Sequence, residues 1–217
     1  MQFIITTITK VNTDLIYQAQ ALAQKLNKKF VTRNNLSLER LKQDNNVDNI
    51  LIFTKDGLKA HTSQGDLFFH LNMAQLRILN LNRNQKDHMV EAMDLKPKMS
   101  VLDCTLGLGT DATVASYIVG ENGKVVGLES ATLIYLITKY GLANFNHDNI
   151  AINHSLRRIE SFNLHYLDYL KAQGDNSFDI VYFDPMFRKP IQDSANFKPM
   201  RAIANMEQLQ SKALVEA

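Results

Sequence analysis

Two short stretches carry the residues whose types and spacing could do chemistry. In the first, the apolar pair Val101-Leu102 runs into Asp103-Cys-Thr-Leu-Gly107-Leu-Gly109-Thr110-Asp111-Ala112, which fits G-x-G-x-x-A between a strand and a helix. Glycines there let the backbone approach a bound ligand that a Cβ would hold off. The helix start offers unpaired N–H groups and partial positive charge to an anionic group, whether a pyrophosphate or an amino-acid carboxylate. Twenty residues after Gly109, Glu129 closes a second apolar run, where a carboxylate can accept both hydroxyls of a ribose. The second stretch, Asp179-Ile-Val-Tyr-Phe-Asp184-Pro185-Met186-Phe187, is another apolar run ending in an acid, a proline and an aromatic.

A ribose does not name the cofactor. Dinucleotide sites bring the first glycine close behind the strand, whereas here Cys-Thr-Leu intervenes and Asp103 takes the strand's end. An acid at that place suits an ammonium group, and with Asp111 it surrounds the ligand with negative charge that pyrophosphate would oppose. The acids favour S-adenosylmethionine over a nicotinamide dinucleotide; an NAD-dependent oxidoreductase is the alternative on the same loop. In the second stretch, Asp184 and a neighbouring backbone carbonyl can accept the N–H groups of an exocyclic amine. Pro185 fixes the turn and Phe187 can stack on a base. Positioning then does most of the work, with no metal and no covalent intermediate required. Taken singly, the first stretch fits a helix cap and the second a strand-ending turn with a core aromatic; their pairing argues for chemistry.

Composition bounds the rest. The 217 residues, 45% hydrophobic and 21% charged, are ordinary globular usage and long enough to bury a full core. A net charge of +2 is too small to announce nucleic acid, so any basic surface is local. Candidates are Arg157-Arg158 and Arg188-Lys189, while Lys25, Lys28, Lys29 and Arg33 read as a solvated face. The single cysteine, Cys104, follows a buried strand and reads as a core thiol in a reducing compartment. The N-terminus lacks a basic region and cleavage site, and no apolar run approaches the ~18 residues of a membrane span. A cytoplasmic protein without membrane contact is expected.

The elements that must position these residues fall into two expected domains, 1–80 and 81–217. In the first, Phe3–Thr7 reads as a strand and Asp14 as the N-cap of a helix bearing Leu15, Ala19, Leu22, Ala23 and Leu26. Leu36–Leu41 reads as a short helix, Asn49–Thr54 and Leu58–Thr62 as a hairpin around Asp56-Gly57, and Asn72–Leu79 as helical. His70 reads as packed and hydrogen-bonded rather than as a ligand, and Asn80–His88 as the linker. Beyond it strands and helices alternate: helix Val90–Leu95, strand Val101–Asp103, helix Asp111–Val119, strand Lys124–Glu129, helix Thr132–Leu142, strand Ile159–Phe162, helix Leu167–Ala172 and strand Phe178–Phe183. That alternation predicts a doubly wound α/β fold on a parallel sheet.

On Asp103-Cys-Thr105-Leu-Gly107-Leu-Gly109-Thr-Asp111 and Asp184-Pro185-Met186-Phe187, the chain resembles the class I S-adenosylmethionine-dependent methyltransferases. Within them it is similar to the 16S ribosomal RNA guanine-N2-methyltransferase family, over roughly 67–200. The resemblance implies a Rossmann-like sheet and S-adenosylmethionine held by Thr110, Asp111, Glu129 and Ser130. Asp184 would face both cofactor and base, and His165 and Tyr166 fall at the place that flanks the adenine. Arg188-Lys189 and 198–201 fall where the family has basic residues for RNA phosphates. Small-subunit ribosomal RNA would be the partner. Only about thirty residues follow the fourth strand, and 197–214 reads as helix, so the family's C-terminal strands are not expected here. That leaves open a site completed by a second subunit, as in a homodimer, and a non-catalytic relative that holds cofactor or RNA without turnover.

Overall fold

The computed structural model describes residues 2–185, 198–207 and 209–217. The described residues group into two units, one from 2–69 with 198–203, the other from 70–185 with 204–207 and 209–217.

In the first unit the buried run Phe3-Ile-Ile-Thr-Thr forms β1 (Phe3–Thr7). Helix α1 (Thr13–Lys25) is capped by Asn12, whose side chain accepts from Leu15 N at 3.0 Å. Asp14, expected as the cap, lies instead in the first turn, where its charge still favours the helix N-terminus. Ser37 caps α2 (Leu38–Asn45), which a left-handed Asn46 ends. Strands β2 (Asn49–Thr54), β3 (Gly57–Thr62) and β4 (Gly65–Phe68) follow through two matching turns. In each, a threonine hydroxyl donates to a glycine carbonyl and accepts from the N–H two residues on: Thr54 to Gly57 at 2.9 Å, Thr62 to Gly65 at 2.8 Å. The sheet runs β1-β2-β3-β4, its first pair parallel and the others antiparallel. Buried β2 is apolar on both faces, while β3 alternates.

The second unit begins with α3 (Asn72–Asn82) and α4 (His88–Ala92). α3 groups with this unit, so the units part at 69/70 where the sequence pattern predicts 80/81. The polar stretch 80–88 is the last turn of α3, a short connector, and Asp87 capping α4 through Met89 N and Val90 N. Next come β5 (Ser100–Asp103), α5 (Thr110–Val119), β6 (Lys124–Leu128), α6 (Thr132–Asn144), α7 (Ile150–Arg158), β7 (Ile159–Phe162), α8 (Tyr166–Leu170) and β8 (Ile180–Tyr182). All pairs in the sheet β7-β6-β5-β8 are parallel, and the predicted α/β Rossmann-like architecture is what forms. Leu102, Cys104, Val126, Leu128 and Leu170 make one face of its core. Helix α7, which the sequence reading omits, hides its apolar stripe of Ile152 and Leu156 among Asn, His and Ser.

The helix expected over 197–214 is two short ones, α9 (Lys198–Arg201) and α10 (Ser211–Glu216); residue 197 lies outside the described residues. Between them Asn205 accepts from Glu207 N at 3.0 Å, a local bond that competes with helix. Among the described residues no helix is long and apolar enough to cross a membrane, and no His/Cys/Asp/Glu cluster could hold a metal.

Candidate active site

Register brings the two chemical stretches together. Asp103 at the end of β5 pairs with Tyr182 at the end of β8, so the two strand tips are neighbours. The ladder continues into the loop: Cys104 N donates to Tyr182 O at 2.9 Å and Leu106 N to Leu128 O at 2.9 Å. The loop is thus pinned between β8 and β6 before it turns.

The turn needs its glycines. Gly107 and Gly109 hold φ of +53° and +76°, in the left-handed region that side chains disfavour. Thr138 Oγ1 donates to Gly107 O and Thr113 Oγ1 to Gly109 O, both at 2.6 Å. Under the loop Gly127 leaves room for Leu106, whose Cδ1 would lie 2.5 Å from a Cβ there. Thr110 opens α5, half-buried.

Four acids gather at these strand ends. Asp103 is 3% exposed and accepts from Thr105 N at 2.9 Å. Burial pushes its carboxyl up to about 7, and the charges of Asp111, Glu129 and Asp184 push the same way. Glu129, also buried, accepts from Gly107 N at 3.1 Å and Ala131 N at 2.7 Å; burial raises its carboxyl while those bonds work against the rise. Asp184 is largely open to solvent, its backbone N–H donating to Thr105 Oγ1 at 2.7 Å. Partial burial and the charge of Asp111 hold its carboxyl above the usual range. Asp111 receives Arg77 Nη1 on one oxygen and the Tyr182 hydroxyl, at 3.3 Å, on the other.

The remaining predicted residues that are described lie at the same end of the sheet. Ser130 is exposed; its carbonyl and that of Glu129 accept from Asn163 Nδ2, at 3.2 and 2.7 Å. His165 follows β7 and caps α8 through Nδ1, its ring 4.2 Å from that of Tyr166. Tyr166 in turn meets Phe183 edge-on at 5.5 Å. Pro185 is half-buried after Asp184, and Phe187 lies outside the described residues. Sequence reasoning gave no role to Arg77, Asn163, Thr138 or Tyr182. Thr105 stands inside the loop motif, but Arg77 meets partners 10 and 34 residues on, a spacing no local pattern encodes.

The donor set decides which cofactor fits. Among the described residues no ion pair reaches Asp103, Glu129 or Asp184. Carboxylates that raise one another's proton affinity welcome a ligand bearing a sulfonium and an ammonium, and oppose a pyrophosphate.

Comparison with known proteins agrees. The family described as "Putative SAM-dependent methyltransferase" matches residues 34–217. The chain is 35% identical over 214 residues to the uncharacterised protein YpiP of Bacillus subtilis, covering 98% of this chain and 83% of that one. It is 30% identical over 172 residues to ribosomal RNA small subunit methyltransferase J of Francisella tularensis, covering 78% of this chain and 67% of that protein. In fold it is similar to a SAM-dependent methyltransferase from Neisseria gonorrhoeae, with a TM-score of 0.57 at 17% identity over 84% of this chain and 69% of that one. The dinucleotide alternative is thereby set aside. With a methyl-donor fold, acids suited to a cationic cofactor and a family match over most of its length, the chain belongs to the S-adenosylmethionine-dependent methyltransferases.

Proposed function

We propose that this enzyme methylates an exocyclic amine of a base in RNA, specifically guanine N2 in small-subunit ribosomal RNA. The observation that carries the reading is the Asp103–Tyr182 register, which sets the Asp184-Pro185 tip beside the glycine loop. The Francisella relative, whose name gives ribosomal RNA as its substrate, supports the acceptor class.

When bound, S-adenosylmethionine supplies an electrophilic methyl group on a cationic sulfur. In our reading Gly107, Gly109 and Thr110 cradle its methionyl end, with Asp103 and Asp111 as negative charge for the ammonium and Glu129 with Ser130 at the ribose. His165 and Tyr166 flank the adenine. The Asp184 carboxylate accepts an N–H of the amine, which aims the nitrogen's lone pair across the short gap between the tips. Its raised proton affinity suits it to hold that proton as the nitrogen gains a fourth bond. Pro185 stiffens the turn and Phe187 stacks on the base.

The test is S-adenosylhomocysteine release from the purified chain with 16S ribosomal RNA or small subunits, followed by nuclease digestion and mass spectrometry of nucleosides. N2-methylguanosine at one position is expected. Release only with a small-molecule or protein acceptor would overturn the RNA reading, and cofactor binding without release on any acceptor would mark a non-catalytic relative.

A further inference from the structure

One ion-pair cluster abuts the site, and of its three members only Asp111 has a part in the chemistry above. Arg77 on α3 has a side chain 19% exposed and a guanidinium shared between two carboxylates. Nε and Nη2 grip Asp87, at 2.7 Å to Oδ2 and 2.9 Å to Oδ1, as a two-pronged pair. Asp87, 9% exposed, is itself fixed as the cap of α4. That leaves Nη1 to donate to Asp111 Oδ1, in the first turn of α5 right after the glycine loop. The other oxygen of Asp111 takes the hydroxyl of Tyr182, two residues before Asp184.

We infer that Arg77 is a positioning residue for the methyl-donor site: anchored by Asp87, it holds Asp111 and, through it, the start of α5 and the tip of β8 in the arrangement that receives the cofactor. The inference rests on the cofactor and not on the RNA reading. A planar guanidinium can serve Asp87 with one edge and Asp111 with another at once; a lysine ammonium cannot match both. Without it Asp111 would face the charges of Asp103 from β5 and Asp184 beyond β8, with the Tyr182 hydroxyl as its side-chain partner among the described residues.

Two roles for Arg77 predict opposite signs. Were it merely a positive charge near a cation site, its removal would tighten binding of S-adenosylmethionine. A positioning role makes binding weaker, because Asp111 and the loop behind it lose their register. The experiment is calorimetric titration of the full chain with S-adenosylmethionine for wild type, R77M, R77K, D111N and R77M/D111N, each with a urea unfolding curve. We expect R77M to weaken binding by roughly tenfold, R77K by about threefold and D111N by about as much as R77M. The double variant should match D111N, since Arg77 acts through Asp111. Unchanged or tighter binding in R77M would overturn the inference, as would a loss that persists undiminished in the D111N background. If R77M shows no cooperative unfolding, R77K takes its place: a loss in R77K that disappears between D111N and R77K/D111N is expected, and unchanged or tighter binding in R77K, or an undiminished loss in R77K/D111N, would overturn the inference.

Discussion

The two strand tips are built to different standards. The tip of β5 is sealed: Asp103 and Glu129 are buried, and the loop between them is stitched to β6, β8, α5 and α6 by backbone and threonine hydrogen bonds. At the tip of β8 Asp184 is exposed between half-buried Phe183 and Pro185, and its amide donates to the Thr105 hydroxyl. A ligand that must be held the same way at every turnover gains from a preorganised cradle. A polymer acceptor that has to enter and leave gains from an open edge completed only when it binds. The contrast can be broken or sharpened by substituting each side in turn.

The largest effect is expected at the open tip. D184A should lower methyl transfer at least a thousandfold, roughly 4 kcal/mol of barrier, with S-adenosylmethionine affinity and the urea midpoint little changed. An affinity loss matching the rate loss would place Asp184 on the cradle side and erase the distinction. Next comes the sealed tip, through pH. The Asp103 carboxyl sits near 7 in the fold against 3.8 in an open chain. The folded state therefore keeps a proton that the unfolded chain gives up. The stability this confers is complete below about pH 4 and is lost as pH rises to about 7, a swing of up to about 4 kcal/mol. Urea curves across that range should show the fall in wild type and a flatter line in D103N. Binding of the cationic cofactor should also expel this proton below pH 7, which calorimetry in buffers of different ionisation enthalpy would count.

A smaller effect belongs to the turn. G109A forces an alanine to φ near +76°, with its Cβ 3.4 Å from Thr138 Cγ2, and should cost about 1–2 kcal/mol of stability along with cofactor affinity. Smallest is Cys104, whose burial raises its thiol far above the ordinary range and keeps it unreactive. C104A should leave the transfer rate within about twofold and cost about 1 kcal/mol or so of packing. Rapid labelling of the native thiol would show the sealed tip to be looser than its hydrogen bonds imply.

Much of this was legible because it is local. Strands β1 and β2 are written in runs of buried β-branched and aromatic residues, and the glycine loop announces itself by composition. Boundaries were less legible. Asn12 outcompetes Asp14 as cap through an interaction invisible in periodicity, and α7 carries too few apolar residues to stand out from its polar neighbours. The site was legible as two halves, each with its acid and its turn. What joins them was not: Thr105 to Asp184 spans 79 residues and Arg77 to Asp111 spans 34, and such pairings exist only once the sheet has closed.

That closure also fixes when the enzyme comes into being during its own synthesis. Strand β8 completes one side of β5, with Ser100 and Asp179 bonded across 79 residues of intervening chain. A nascent polypeptide can assemble β5, β6 and β7 as each leaves the ribosome, yet half of its chemistry is still inside the exit tunnel. The cleft thus forms only after β5, β6 and β7 have emerged. Until then β5 offers an unpaired apolar edge, the moment in this protein's life when aggregation is the greatest hazard.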